Sequence, residues 1–217
     1  MNILSRQLQE GRMFAQLPQF RHKLSNADID IRAMFSHASR SYVTLSWGKQ
    51  SIIVAHMVFV IAPETPCVHW SNPKAEILAD FMDTRDAFLE RYHLNYTEFS
   101  EGDIDLKGNG RRYMQEEKLN GVFMGLAAEE SKGRRYSLKQ GSQTSMQYKD
   151  GTWRCCPLAD WKVPDLAAYI AMYDLPLLRP YCRYGLDVRT STGATIGSHS
   201  ERALDFLNST DRGDFIS

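Results

Sequence analysis

Ser41-Tyr42-Val43-Thr44-Leu45 is a short run of β-branched and aromatic residues and reads as a strand. It leads through Ser46-Trp47-Gly48-Lys49-Gln50-Ser51 into Ile52 to Ile61, which is apolar on nearly every face and predicts a buried helix stopped by Pro63. The unit then recurs. Pro66 to Trp70 reads as a second strand, and Ser71-Asn72-Pro73 caps and opens a helix from about Lys74 to Tyr92. Leu94 to Phe99 is a third strand, Arg111 to Leu119 an amphipathic helix, and Gly121 to Leu126 a fourth strand. Strands alternating with helices predict a parallel sheet covered on both faces.

The flanks are less periodic. Residues 1–24 are polar and mixed, an irregular arm or a short helix, and Ser25 or Asn26 can cap a helix to about Ser39. Residues 100–110 are glycine-rich and polar and read as a loop. Met146 to Tyr148 and Trp153 to Cys156 flank Asp150-Gly151, the signature of a β-hairpin. Pro164 opens a helix through about Tyr173, residues 176–198 read as irregular, and Glu201 to Asn208 as a short terminal helix. The fold expectation is one α/β domain with a parallel sheet of about five strands and an irregular C-terminal extension.

At 217 residues, with 43% hydrophobic and 24% charged residues, the chain is an ordinary globular one and not a disordered, collagenous or low-complexity protein. Lys+Arg and Asp+Glu are both 26, so any anion site must be local rather than a basic surface. Four cysteines are too few for a disulfide scaffold and suit a reducing compartment. The start lacks a leader pattern, and Ile52 to Ala62 is too short to span a bilayer. The expectation is a cytoplasmic protein with no membrane partner.

The sharpest local signal is the bend between Leu45 and Ile52. A strand feeding a helix through a glycine turn brings backbone N–H groups and the positive end of the helix dipole together, a geometry suited to phosphate or sulfate. Ser46 and Ser51 add hydroxyls, Gly48 allows close approach, and Lys49 can add charge. An ordinary capped turn would have the same residues. Among the histidines, His56 reads as core, His69 as a substrate contact or packing, and the others show no metal-ligand spacing. On a strand, one of Cys155 and Cys156 should face in and the other out. Cys182, between Arg179 and Arg183, is the best thiol candidate. Asp160 reads as a site acid or a turn-fixing hydrogen bond. Arg179, Tyr181, Arg183, Tyr184 and Arg189 suggest either a substrate-facing flap or a solvated loop.

Ser46-x-Gly48-Lys49-x-Ser51 resembles the pyrophosphate loop, Ser-Gly-Gly-x-Asp-Ser, of the adenine-nucleotide α-hydrolase superfamily. Gly125-Leu126-Ala127-Ala128-Glu129-Glu130-Ser131-Lys132-Gly133-Arg134-Arg135 resembles the Gly-Leu-Arg-x-x-Glu-Ser-x-x-Arg block of phosphoadenylyl-sulfate (PAPS) reductases. Cys156-Pro157-Leu158-Ala159-Asp160-Trp161 through Tyr169-Ile170 is similar to that family's Pro-Leu-x-Asp-Trp block, and Leu175-Pro176 through Gly185 to its downstream segment. The order agrees from about residue 41 to 195.

The resemblance implies a Rossmann-like fold divided as an N-terminal arm and helix (1–40), a nucleotide-binding domain (41–175) and an extension over the site (176–217). It implies that Ser46, Trp47, Gly48, Lys49, Gln50 and Ser51 hold the phosphate or sulfate end, that Trp70, Ser71 and Asn72 lie near the adenosine, and that Gly125, Lys132, Arg134 and Arg135 close over the anion. Lys49 and Arg134 are the expected catalytic pair. The implied ligand is ATP or PAPS, with magnesium accompanying ATP and no iron–sulfur cluster, because Cys155-Cys156 lacks a later Cys-x-x-Cys. The implied reaction is cleavage of ATP between its α and β phosphates to adenylate an unknown acceptor. Alternatives are a PAPS-handling protein with a partner's thiol and a non-catalytic nucleotide sensor, alone, as a homo-oligomer or beside a partner protein. Gln50 stands where the loop pattern has Asp, Ala127 where it has Arg, and the C-terminal Glu-Cys-Gly-(Ile/Leu)-His of the reductases is missing.

Overall fold

Residues 3–37 hold two helices, so of the two readings of the N-terminal stretch, an irregular arm or a short helix, the helix is the one present. In this computed structural model, which describes residues 2–71, 81–99, 109–130, 132–140 and 145–187, α1 spans Ile3–Phe14 and α2 spans Pro18–His37. The Asn2 side chain accepts a hydrogen bond from the Ser5 amide at 2.8 Å and starts α1. α2 starts at Pro18 rather than at Ser25 or Asn26. Proline suits the first turn, where its missing N–H has no helical partner to lose. The buried stripe Phe20, Ala27, Ile31 and Met34 runs past both polar residues, so burial outweighs their capping preference.

Six strands form one sheet in the order β3-β2-β1-β4-β6-β5. They are β1 Ser41–Thr44, β2 Cys67–Trp70, β3 Tyr96–Phe99, β4 Gly121–Met124, β5 Ser145–Gln147 and β6 Trp153–Cys155. The first five in that order pair in parallel, and β5 pairs antiparallel with β6. The sixth strand arises because both arms of the Asp150-Gly151 hairpin join the sheet; Gly151 sits at φ +85° in its turn. The remaining helices are α3 Lys49–Ile61, α4 Phe81–Tyr92, α5 Asn109–Glu116, α6 Lys132–Gln140, α7 Val163–Tyr173 and α8 Pro180–Tyr184. α8 falls in a segment expected to be irregular; five residues are too few to show a helical period. The proposed helix start at Lys74, the loop over 100–108 and the helix at 201–208 lie outside the described residues.

Strand alternation sorts the two faces. Cys67, Val43, Phe123 and Cys155 stand opposite one another across the sheet and enter the main core with residues of α2, α3 and α7. Tyr42, Val68 and Val122 face the other way and pack with Met114 of α5. α1 lies against α7 so closely that a Cβ on Gly11 would come within 2.6 Å of the Ala167 carbonyl. The start of α7 is held by Asp165, which accepts from the Lys162 amide at 2.8 Å and pairs with Lys23 of α2 at 2.8 Å. Asp160 contributes its backbone carbonyl, which accepts from Lys23 at 2.8 Å. After β1 the chain moves to β2 and β3 on one side, and β4 lies on the other. Such a reversal leaves a crevice at the carboxyl ends of β1 and β4, where open α/β sheets bind ligands.

Candidate functional site

The bend between β1 and α3 is closed by its own hydroxyls. The Ser46 amide and hydroxyl both donate to Ser51 Oγ at 3.2 Å, and Ser51 Oγ donates to the Gly48 carbonyl at 3.0 Å. Trp47 sits at φ +58°, opposite the first glycine of the Ser-Gly-Gly-x-Asp-Ser pattern. Left-handed backbone costs an L-residue about 1–2 kcal/mol. The indole meets Phe81, Phe88 and Tyr96 edge-on at 6.0, 6.0 and 5.8 Å. Each such pair contributes about 0.5–1.5 kcal/mol beyond area burial, so packing outweighs the strain. Trp47 is therefore a wedge holding the bend in the core.

Lys49, Gln50 and Ser51, which open α3, are all buried. The Lys49 amide, a donor expected to meet an anion, donates to the Tyr181 hydroxyl at 3.0 Å. Lys49 Nζ lies 5.6 Å from the centroid of the same ring. Tyr181 belongs to α8 and is fully buried, so the C-terminal segment reaches the bend through a packed ring rather than through a residue on the cavity wall. Arg179 is exposed and lies 3.8 Å from Asp83; Arg189 is outside the described residues. Gly125 brings the second motif onto the first. A Cβ there would stand 2.5 Å from the Ser51 amide nitrogen and 2.6 Å from the Gln50 carbonyl carbon.

A cavity of about 1140 Å³ opens on the carboxyl ends of β1, β2 and β4, where Ser46, His69, Trp70 and Met124 wall it. His69 Nδ1 lies 2.8 Å from the Leu45 carbonyl, which can only accept, so Nδ1 carries the proton and ties the end of β2 to β1. Trp70 stacks on Phe99 with 6.2 Å between centroids. Ser71 is buried and its amide donates to the Phe99 carbonyl at 2.8 Å; Asn72 lies outside the described residues. The cavity continues along the second face of the sheet over Tyr42 and Val122 to the turn of the β5–β6 hairpin. Sequence reasoning missed this extension. The alternation of Tyr42 and Thr44 against Val43 and Leu45 was its one visible signal.

Lys132, Arg134 and Arg135 are not among the residues walling the cavity. Lys132 and Arg135 are exposed, and Arg134 is half-buried. Burial pushes the Cys156 thiol up to about 11, against the opposing pull of Arg154 and Arg134. Cys155 is also buried, its thiol pushed up to about 12 chiefly by burial. Neither cysteine is exposed; β6 ends at Cys155, so the expected in-and-out alternation does not extend to Cys156. Ala127 is buried, so the position where the motif has Arg carries packing. The Ala128 amide donates to the Ala159 carbonyl at 2.9 Å and joins the second motif to the third. His56 is core: its Nδ1 is 2.9 Å from the Tyr169 hydroxyl, and burial, then the nearby Arg91 charge, lowers its pKa to about 4.

No family model and no curated protein matches the sequence. Solved structures do match. The PAPS reductase of Candida auris, in its phosphate complex, superposes with a TM-score of 0.53 at 15% identity, covering 71% of this chain and 83% of that one. The FMN adenylyltransferase of Candida glabrata gives 0.60 at 12% identity, covering 81% of this chain, which spans 65% of that enzyme's length. The U34-tRNA thiolase NcsA of Methanococcus maripaludis, with its 4Fe–4S cluster, gives 0.53 at 15% identity, covering 76% and 68%. The chain thus has the Rossmann-like, adenine nucleotide alpha-hydrolase-like fold, as the motifs implied. The cofactor expectation is corrected. The thiolase carries a 4Fe–4S cluster on this fold, so the fold itself is compatible with one and the expectation of none does not stand. Among the described residues, no group of three or more His, Cys, Asp or Glu stands together to hold a metal ion, so no residue is assigned to magnesium. No described helix is long and apolar enough to cross a membrane.

Proposed function

We propose that the cavity binds an adenine nucleotide with its phosphates toward Ser46 and the start of α3, and that the protein transfers AMP from ATP to an acceptor. The observation that carries this reading is the position of the cavity. It lies at the carboxyl ends of β1, β2 and β4, where the strand order reverses, with Ser46, the first residue of the bend, on its wall. Trp70 offers a ring on which a purine can stack, and the start of α3 offers a positive dipole end. In the reaction a nucleophilic acceptor atom bonds to the α-phosphorus, the bond from that phosphorus to the bridging oxygen breaks, and pyrophosphate leaves with the electron pair. The acceptor's proton goes to solvent. The Lys49 charge and the positive end of the α3 dipole favour the charge that develops on the leaving group. The adenylyltransferase of this fold, solved with ATP and with FAD and pyrophosphate, supports the reading.

A second reading, a nucleotide-binding subunit without turnover, is favoured by the Tyr181 hydroxyl already holding the Lys49 amide. One experiment separates them. The protein is incubated with α-labelled ATP in magnesium-containing buffer, alone and with small-molecule acceptor pools, and AMP products and pyrophosphate are measured. Turnover that Lys49→Ala abolishes supports adenylyl transfer. Saturable ATP binding without turnover supports the subunit, and absence of ATP binding refutes both. Competition by PAPS but not ATP would indicate a sulfonucleotide. Arg134→Ala tests whether α6 contributes to either.

A further inference from the structure

We propose that the half of the cavity over the amino ends of β4 and β6 is a second binding site, for a flat aromatic molecule bearing an anionic group. Its role as the acceptor site rests on the nucleotide reading above; its existence rests on the cavity alone. Small-molecule pockets usually run from about 300 to 1,000 Å³. This one is about 1140 Å³ and is walled by residues from both ends of the sheet. Ser46 and Trp70 stand at the carboxyl ends, whereas Leu119 precedes β4 and the turn from Tyr148 to Thr152 precedes β6. Four-residue strands separate the two ends by about 13 Å. A nucleotide seated at the bend leaves the far half to something else.

The chemistry of that half is specific. Its floor is Tyr42 and Val122, directly paired across β1 and β4, with Met114 of α5 at its side. The Tyr42 ring is fixed edge-on by Trp70 at 6.0 Å and Tyr113 at 5.3 Å. At the mouth the exposed Tyr148 ring lies 5.7 Å from the Arg154 guanidinium. Rigid rings and an adaptable methionine suit a flat aromatic body.

Two exposed lysines, Lys118 and Lys149, also line this end. Lys118 closes α5 at φ +51°, where the Leu119 amide donates back to the Met114 carbonyl at 2.7 Å. Helix ends of this left-handed kind normally take glycine or asparagine. Lys118 takes that place here, as His93 and Asp174 do at the ends of α4 and α7. One carboxylate shares the wall. Asp150 accepts from the Thr152 amide at 3.1 Å and hydroxyl at 2.6 Å and so holds the turn. The lysines supply positive charge for an anionic group.

The test uses the full chain and two fluorescent probes. Anilinonaphthalene sulfonate carries an aromatic body and one negative charge; N-phenyl-1-naphthylamine has the same rings without the sulfonate. The proposal expects saturable one-site binding of the sulfonate probe. Lys118→Gly and Lys149→Gln each weaken it about 1.5- to fivefold, the range of a lost exposed charge contact, with the neutral probe unchanged. Tyr148→Ser weakens both probes. ATP affinity, measured in parallel, stays unchanged in the lysine variants, and ATP does not displace the probe. Equal binding of the sulfonate by wild type and both lysine variants overturns the proposal, as does full displacement by ATP. Failure of ATP to bind while the lysine effect persists would overturn only the nucleotide reading.

Discussion

Gly125→Ala is the most direct probe of how the motifs meet. The added Cβ would stand 2.5 Å from the Ser51 amide nitrogen, 2.6 Å from the Gln50 carbonyl carbon and 2.7 Å from Ser51 Cα, against ordinary contact beginning near 3.4 Å. All three neighbours are backbone atoms at the start of α3, so nearly 1 Å of relief must come from moving that helix end or β4. Overpacking of this kind costs about 1–3 kcal/mol, and rigid neighbours place the expectation in the upper half. The same shift moves the start of α3, toward which the proposed nucleotide would turn its phosphates, and displacements near 1 Å can cost about 100-fold in reactions that depend on positioning. We therefore expect a fall in urea midpoint together with at least a tenfold loss of ATP affinity by calorimetry. Two other glycines calibrate the result. Gly11→Ala brings a Cβ within 2.6 Å of the Ala167 carbonyl, on the contact of α1 with α7, which contributes nothing to the cavity wall. It should lose similar stability and keep its ATP affinity. Gly133→Ala meets nothing within 4 Å and should gain up to about 1 kcal/mol from helix propensity and a stiffer unfolded chain. The reasoning is refuted if Gly125→Ala is as stable as wild type, or if it binds ATP no worse than Gly11→Ala.

Three further outcomes follow from the same contacts. His56 has a pKa lowered from 6.5 to about 4 by burial, so the unfolded chain binds the extra proton first; stability is full above pH 6.5 and falls as pH drops toward 4. The loss is at most about 3 kcal/mol, and a urea midpoint that does not change from pH 7 to pH 4.5 would contradict it. The thiols of Cys67, Cys155 and Cys156 are buried and pushed to about 12, 12 and 11, whereas Cys182 is half-buried. Native protein at pH 7.5 should react with a disulfide reagent at Cys182 alone, with the other three appearing on unfolding; fast labelling of Cys156 by mass spectrometry is the opposing result. Tyr181→Phe keeps the ring and removes the acceptor at the Lys49 amide, so the free protein should lose about 1–3 kcal/mol. ATP should then raise the melting temperature of the variant more than that of wild type, because the freed donor can meet an anion; an equal or smaller rise would count against an anion seat there.

The sheet was legible because its signals are local. A β-branched run before Gly48 marks β1 and the start of α3, and Asp150-Gly151 marks the hairpin whose antiparallel arm became the sixth strand. Gly125, named from the second motif as a site residue, lies against Ser51 of the first, a contact that neither motif states by itself. What stayed hidden depends on distant pieces of chain. The Lys49–Tyr181 bond joins residues 132 positions apart, and no period or spacing announces it. α2 reads as starting at Ser25 or Asn26 because those side chains are good caps, yet the buried stripe begins at Phe20. Alternation assigned Cys155 and Cys156 to opposite faces, but the strand ends at Cys155 and both thiols are buried. Trp47 at a left-handed φ is the clearest case of tertiary context overriding local preference, because three surrounding rings fix it there.

The central claim is that the crevice between β1 and β4 holds an adenine nucleotide. A crystal structure grown with a non-cleavable α,β-methylene analogue of ATP tests it most directly. The account predicts nucleotide density in the cavity, with phosphates beside Ser46 and the base against Trp70. A fully occupied nucleotide elsewhere, or an empty crevice at saturating analogue, would contradict it.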